Sequence, residues 1–251
     1  VEGFAQAETY WGRVRFGLIL LHFGYEGALA EGSLKFARSL WYRERLLGLR
    51  DFGLSYAVDN EGFFSEWTIH NGESGKDLDN KAWFTARAGY EQKDFFVGLT
   101  GATGRTTQES TNPSGNRANL SDGFVVSDPA RVRMAGVFIG THGPEISVAA
   151  EALVAENFQQ VDFKSTGGHL DLIYDFAKHW TALARYDRYD PNGSEANDRL
   201  QQWTMGLSYK SNYETSAVYL YVTRLLREGA DTSAHQFRIV WRLTPYIHHV
   251  R

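Results

Sequence analysis

Residues 201–210 read Gln201-Gln202-Trp203-Thr204-Met205-Gly206-Leu207-Ser208-Tyr209-Lys210, and neighbouring positions differ sharply in polarity. The odd positions from Trp203 to Tyr209 are large and apolar, whereas the even positions are polar or small. Because successive side chains of a β-strand point to opposite faces, the stretch predicts a strand with one apolar and one polar face. Residues 236–243 repeat the pattern. Strands of about 10 residues with this alternation are typical of transmembrane β-barrels, apolar towards lipid and polar towards the lumen.

The alternation recurs along the chain and predicts an all-β fold, a transmembrane antiparallel β-barrel in meander order that forms one domain over residues 1–251. About twelve strands are expected in this chain, and the full-length protein is expected to carry further strands or to be a reduced barrel. The predicted strands are 13–24, 49–59, 62–71, 81–92, 93–104, 130–141, 144–155, 160–177, 179–190, 199–211, 212–225 and 234–244.

The connections alternate between short and long, as in barrels with short periplasmic turns and longer extracellular loops. The longest, 105–129, is rich in Gly, Asn, Ser and Thr and is predicted to be an extracellular loop. Residues 28–47 lack strand alternation, and apolar spacings of three and four predict a short amphipathic helix there. Two interpretations stay open for this segment: a constriction folded into the lumen, or an excursion on the surface.

Composition excludes several classes of protein. Cysteine is absent, so there is no disulfide framework or thiolate metal site. The net charge of −4 argues against binding to nucleic acid. No run approaches the roughly 18 apolar residues of a transmembrane helix. We therefore expect no cofactor, no metal site and no nucleic-acid partner.

The apolar parity of each strand is assigned to lipid and the polar parity to the lumen. The predicted lipid-facing set includes Leu172, Phe176, Met205, Leu207, Ile239 and Trp241. Residues 130–141 carry apolar side chains on both parities, and there Arg131 and Arg133 are placed inside by their charge alone. The candidate pore-lining residues are Arg13, Arg15, Arg87, Arg131, Arg133, Glu151, Asp171, Arg185, Lys210, Arg238 and Arg242. A cationic wall would select anions, whereas pairing with acids across neighbouring strands would cancel the effect.

Several stretches resemble the phosphate-selective porin O and P family of outer-membrane proteins, in family order. They are Gly12-Arg13-Val14-Arg15-Phe16-Gly17, Arg50-Asp51-Phe52-Gly53-Leu54, Asn71-Gly72 with Asp79-Asn80-Lys81 and Ala86-Arg87-Ala88-Gly89-Tyr90, and Ala184-Arg185-Tyr186-Asp187 with Asp198-Arg199 and Thr204-Met205-Gly206-Leu207-Ser208-Tyr209. The resemblance implies a trimeric barrel whose lysines and arginines attract anions. This chain departs from the family because it begins just before Gly12 and its last residues lack a terminal aromatic.

The leading hypothesis is a porin of the Gram-negative outer membrane, a passive channel for small hydrophilic solutes with a mild preference for anions such as phosphate. The expected partners are the lipid bilayer, these solutes, and either further copies in a homotrimer or a partner protein. One alternative is a β-barrel that serves as a scaffold or sleeve for a partner in a larger assembly. A lesser alternative, a barrel enzyme, finds no motif: His169 and Asp171 share a strand face, but no nucleophile can be assigned to them. No catalytic residue is therefore predicted.

Overall fold

A computed structural model describes residues 3–43, 50–72, 80–105, 131–157, 163–211, 216–229 and 233–243. They form one antiparallel sheet in which each strand pairs with its neighbours along the chain, from β1 to β13. The predicted all-β meander is confirmed. The strands are β1 Gly3–Thr9, β2 Gly12–Leu20, β3 Arg50–Asn60, β4 Phe63–His70, β5 Trp83–Glu91, β6 Phe95–Arg105, β7 Arg131–His142, β8 Ile146–Glu156, β9 Lys164–Ala177, β10 Trp180–Asp190, β11 Leu200–Lys210, β12 Ser216–Arg227 and β13 Ser233–Leu243.

Helical structure in the described residues is confined to the connection between β2 and β3. It consists of two 3-10 turns, Glu26–Ala28 and Glu31–Ser33, and the short helix α1, Leu40–Arg43. Among the described residues, no helix has the length and apolar character needed to cross a membrane.

The described sheet has one strand more than the twelve predicted, because β1 was missed. Its sequence, Gly-Phe-Ala-Gln-Ala-Glu-Thr, has a single large apolar residue and so gives little alternation. The strand is nevertheless fixed by a full antiparallel register with β2, from Gly3 opposite Leu18 to Thr9 opposite Gly12. The expected first strand, 13–24, ends earlier than predicted because the chain leaves the sheet after Leu20.

The polarity of the two sheet faces is the reverse of that in a water-soluble protein: the apolar side chains lie outside and the polar ones inside. The outer face carries large exposed apolar side chains, and Trp241 is 68% exposed. The inner face carries buried polar groups such as Glu151, Asp171 and Arg185. The whole predicted lipid-facing set is exposed in this way: Leu172, Phe176, Met205, Leu207, Ile239 and Trp241. Such a sheet is stable when its apolar face meets lipid.

The prediction that Arg131 and Arg133 face inwards is wrong. In β7 the buried inner positions are Val132, Met134 and Phe138, so both arginines lie on the outer face. Arg133 stands opposite Glu156, with its guanidinium 3.7 Å from the carboxylate and its side chain 65% exposed. Charge alone misassigned the strand because its inner positions pack against apolar side chains rather than water.

Short and longer connections alternate between the strands, so each kind gathers at one end of the sheet. At one end lie Tyr10–Trp11, Glu61–Gly62 and residues 92–94, 143–145 and 178–179. At the other end lie the strand ends that flank the longer connections: Leu20 and Arg50, His70 and Trp83, Arg105 and Arg131, Glu156 and Lys164, and Asp190 and Leu200. The predicted loop 105–129 lies, beyond Arg105, outside the described residues.

A charge placed on the outer face tests the inversion directly. Leu207→Arg is expected to lower the free energy of unfolding from lipid vesicles by about 2–4 kcal/mol, because an arginine near the bilayer midplane cannot be hydrated there. Leu207→Met, which keeps the position apolar, is the control and should unfold at nearly the wild-type urea concentration. Equal unfolding midpoints for the two variants would mean that this face does not contact lipid.

Candidate functional site

Residues 21–43, here called the inner segment, leave β2 and lie against the inner face of the sheet. Phe23, Leu40 and Trp41 are almost fully buried. They pack in one apolar cluster with buried residues of six strands, including Val132, Met134, Leu153, Tyr189 and Leu200. The inner segment and this part of the inner face therefore form an apolar core from which water is excluded. This core explains why Val132, Met134, Leu153 and Ala155, at inner positions of β7 and β8, are apolar.

An ion cluster fixes the inner segment to β9 and β10. Arg185 donates to both carboxylate oxygens of Asp171, at 2.5 and 2.6 Å, and to Glu26 Oε1 at 2.8 Å. A further hydrogen bond runs from Arg185 to the carbonyl oxygen of Ala37 at 2.7 Å. All three ionic side chains are nearly inaccessible to solvent. Arg185 and Asp171 were predicted to line a pore, but the inner segment covers them.

Glu26 is the anion that the segment itself supplies. Burial raises the pKa of its carboxyl, but Arg185 and the hydrogen bonds from Ser39 outweigh this effect and bring the pKa below its ordinary value. Ser39 donates to Glu26 Oε2 through its amide at 2.9 Å and its hydroxyl at 2.6 Å. Glu26 is therefore held in its charged form where the segment meets the sheet.

Glu151, another predicted pore-lining residue, is an anchor for the same segment. Its carboxylate accepts hydrogen bonds from the Tyr42 hydroxyl at 2.9 Å and from the amide of Tyr25 at 2.8 Å. The amide of Gly24 bonds to Thr100 on β6 at 3.0 Å. The inner segment is thus tied to β6 and β8 as well as to β9 and β10.

Contacts to β11, β12 and β13 hold the other side of the segment. Arg242, predicted to face inwards, donates to the carbonyl oxygens of Gly32 at 2.7 Å and Leu34 at 2.6 Å. Tyr221 bonds to the Lys35 carbonyl, and Arg43 to Gln202 at 3.0 Å. These contacts span half of the sheet, so the segment is positioned by many strands at once.

A polar cavity of about 880 Å³ remains between the inner segment and the strands β1–β5. It reaches the end of the sheet where the short turns lie, since Tyr10, Trp11 and Gly62 are among its walls. Its charged lining comprises Glu8, Arg13, His22, Asp59, Glu66, Arg87 and Glu91. This cavity is the candidate functional site, because it is the described part of the inner face that combines charge with open space.

One carboxylate in this cavity is already neutralised. Glu66 accepts from Arg15 at 2.7 Å and contacts His22 Nδ1 at 2.5 Å. Arg15 was predicted to line the pore, and the structure places it inwards but buried against Glu66. The pair adds little net charge to the cavity.

Arg13 and Arg87 differ from Arg15 and Arg185. Within the described residues neither makes a hydrogen bond or salt bridge, and the Nε atoms of both are buried without a partner. The Arg87 guanidinium instead lies over the rings of Phe64 and Phe138, at 4.5 and 5.0 Å from the ring centroids. A ring face attracts a cation but does not cancel its charge. Two arginines therefore present positive charge to the cavity.

The two remaining predicted pore-lining residues occupy inner positions, Arg238 on the edge strand β13 and Lys210 at the end of β11. Arg238 shares the parity of Arg242 on β13 and donates to Gln236 at 3.2 Å. Lys210 shares the parity of Ser208, at the last residue of β11. Neither lines the cavity of Arg13 and Arg87.

The buried histidine His70 does not form an accessible catalytic site. His70 contacts Asp51 at 2.6 Å and Thr85 at 2.8 Å, a sequence of groups that resembles a hydrolase triad. The side chains of His70 and Asp51 are completely buried, so no substrate reaches them. Asp51 also accepts from the amides of Phe52 and Gly72, which marks it as a structural anchor of β3.

Sequence reasoning missed the partners that the inner segment contributes. Glu26, Tyr42 and His22 lie in or next to a segment that lacks strand alternation, and their pairing with residues more than 40 positions away leaves no local signal. The one available hint was an acid and an arginine, Glu26 and Arg38, in the long connection after β2, beside strands rich in inward charge.

Comparison of the structure with solved proteins identifies the fold. A trimer form of the outer-membrane protein OmpT of Vibrio cholerae superposes with a TM-score of 0.69 at 15% identity, over 96% of this chain and 80% of that one. The anion-selective porin from Comamonas acidovorans gives 0.63 at 13% identity, over 91% and 68%. The outer-membrane channel DcaP of Acinetobacter baumannii gives 0.60 at 10%, over 90% and 69%.

The chain therefore has the fold of Gram-negative outer-membrane porins, an antiparallel β-barrel with neighbouring strands paired. No protein-family model and no curated protein matches the sequence. The resemblance to the phosphate-selective family remains a prediction.

Removing the cation of the buried cluster should be costly. Arg185→Met leaves Glu26 and Asp171 buried without their counter-charge, and a loss of about 3–5 kcal/mol in the free energy of unfolding is expected. Arg133→Met breaks an exposed ion pair and should cost no more than about 1 kcal/mol. Urea unfolding in lipid vesicles, followed by tryptophan fluorescence, measures both. Equal losses would contradict the role assigned to the cluster.

Acid should weaken the attachment of the inner segment. Because the pKa of Glu26 is lower in the folded protein, its contribution is complete above the ordinary value of 4.5 and is lost as the pH falls through the folded value. The free energy of unfolding of the wild type should therefore fall between pH 5 and more acidic conditions, and more steeply than that of Glu26→Gln. Parallel pH profiles for the two proteins would exclude Glu26 as the titrating group.

Proposed function

We propose that the protein is a porin of the Gram-negative outer membrane, a passive channel for small hydrophilic solutes. The fold, the continuous apolar outer face and the polar inner cavity support this function together. The apolar face suits lipid, and the cavity supplies a hydrated path that begins at the short-turn end. Traffic through such a path is set by its narrowest part and by its charge rather than by a tight binding pocket.

The inner segment is proposed to form the constriction. It fills the inner face of β6–β13 through the Arg185, Glu151 and Arg242 contacts, so solutes would pass on the side of β1–β5. Its attachments to many strands argue for a fixed constriction rather than a moving gate.

A mild preference for anions rests on one observation, the two arginines without partners in the cavity. Arg13 and Arg87 face open space, while Arg15 and Arg185 are cancelled by acids. Glu8, Asp59 and Glu91 line the same cavity, so the preference requires that solutes pass closer to the two arginines than to these acids; positive charge inside a low-dielectric wall then raises the local concentration of anions. The preference is proposed for small anions by charge, and phosphate would enter as one of them.

The assembly is proposed to be a homotrimer in the bilayer, in line with the trimer form of OmpT. The sleeve alternative has less support, because the chain's own residues 21–43 occupy much of the inner face that a threaded partner would need. The enzyme alternative lacks support, because among the described residues no accessible nucleophile lies next to a general base.

Reversal potentials across a salt gradient in planar bilayers test the anion preference. The wild type should be more permeable to chloride than to potassium. The double variant Arg13→Ala, Arg87→Ala should have a lower ratio of chloride to potassium permeability. That ratio should also depend less on salt concentration in the double variant, because salt screens fixed charges beyond about 8 Å at physiological ionic strength. Arg133→Ala, which removes an arginine from the outer face, is the matched control and should leave the ratio unchanged. A cation preference in the wild type, or a double variant indistinguishable from it, would overturn the anion proposal.

A further inference from the structure

Five basic side chains gather on the outer face, where an apolar surface is otherwise continuous. They lie on β6, β7, β9 and β10, within five consecutive strands of the sheet. All are exposed, and we call them the outer basic cluster: Arg105, Arg131, Arg133, Lys164 and Arg188. Their parity is that of exposed apolar neighbours, since Arg105 follows Leu99 at even spacing and Arg131 precedes Val137. Arg105, Arg131 and Lys164 are terminal residues of their strands, at the end where the longer connections lie.

The cluster is poorly neutralised within the described residues. Glu156 is the carboxylate in contact with it, 3.7 Å from Arg133 and 3.9 Å from Lys164. Arg105 and Arg131 stand directly opposite each other in the register of β6 and β7. Opposed side chains on one face are about 5 Å apart at Cβ, and like charges so placed repel each other. An anion between them would turn this repulsion into attraction.

An apolar groove of about 850 Å³ lies beside the cluster on the same face. Its walls are the exposed side chains of Leu99, Val137, Val154 and Leu170. Small residues at outer positions between them, Ala135, Ala152 and Gly168, make the depression. Arg188 on β10 lies opposite Gly168 on β9, at the rim of the groove, and connects the groove to the outer basic cluster.

We propose that this surface binds a phosphorylated lipid of the outer leaflet, with its phosphate on the outer basic cluster and an acyl chain in the groove. The inference rests on the proposed outer-membrane location, with the longer connections on the outside. Guanidinium groups match phosphate with paired hydrogen bonds, and basic side chains just beyond the apolar band attract anionic headgroups. A groove walled mainly by apolar side chains, with Arg188 at its rim and Thr166 among its polar lining residues, suits a hydrocarbon chain better than a free anion.

Native mass spectrometry of the delipidated protein in neutral detergent tests the proposal, with lipid A, phosphatidylcholine and inorganic phosphate as separate probes. Lipid A should remain bound, whereas phosphatidylcholine and inorganic phosphate should not. The triple variant Arg105→Gln, Arg131→Gln, Arg133→Gln should lose at least tenfold in apparent affinity for lipid A, and Ala152→Phe, which fills the groove, should also weaken it. Arg224→Gln, an exposed cation on β12, and Ala182→Phe, an outer alanine away from the groove, are the matched controls and should bind as the wild type does.

Three results would overturn the proposal: unchanged lipid A binding in the variants, equal retention of phosphatidylcholine, or competition by inorganic phosphate at similar concentration. A shift of Ala152→Phe from a larger assembly to a monomer, with lipid binding intact, would instead assign the groove to a second copy of the chain. Conductance of the same preparations separates this inference from the proposed function. A conducting protein without lipid A binding would refute the lipid site alone, and lipid A binding without conductance would refute the channel alone.

Discussion

A buried charge on the inner face of this sheet needs an opposite charge from the protein itself. The ion pairs of Arg185 with Asp171 and Glu26 meet that requirement. Asp171 lies on the neighbouring strand, but Glu26 comes from a segment that leaves the sheet and returns to it. Isolated ions in such a place would be strongly destabilising, whereas a cation with two anions and a backbone carbonyl is fully satisfied. The same contacts fix the position of the inner segment, and with it the shape of the remaining space.

The inner face is divided by this segment into a dry part and a wet part. Against β6–β13, aromatic and aliphatic side chains such as Trp41 and Phe23 pack on inward residues and exclude water. Against β1–β5, charged groups surround an open cavity in which Arg13 and Arg87 keep their charge unpaired. A porin whose inner face were polar throughout would be wider, and one filled throughout would be closed. The division leaves one charged cavity on the side of β1–β5.

Sequence patterns predicted the features that depend on residues close in sequence, such as the strands and their lipid-facing sides. They failed where contacts between residues distant in sequence determine which way a side chain faces. The alternation around Leu207 and Trp241 identified the lipid-facing parity, because lipid contacts every outer position in the same way. The strand with Arg131 and Arg133 was misassigned because its inner positions, Val132 and Met134, contact the inner segment instead of water. Of the candidate cations, sequence could place Arg87 and Arg185 on the inner face, but only the fold distinguishes the unpaired Arg87 from the neutralised Arg185. Strand β1 was missed because Phe4 is its single large apolar side chain, which gives too little alternation to identify a strand.

The most direct measurement is single-channel recording of the unaltered protein in planar bilayers after its insertion has been verified. A passive channel should give stepwise, ohmic current increments in both directions, and these increments should fall when neutral polymers small enough to enter the pore are added. A correctly inserted barrel that passes no current would contradict the account, because the cavity beside Arg13 and Arg87 would then end blindly within the lumen.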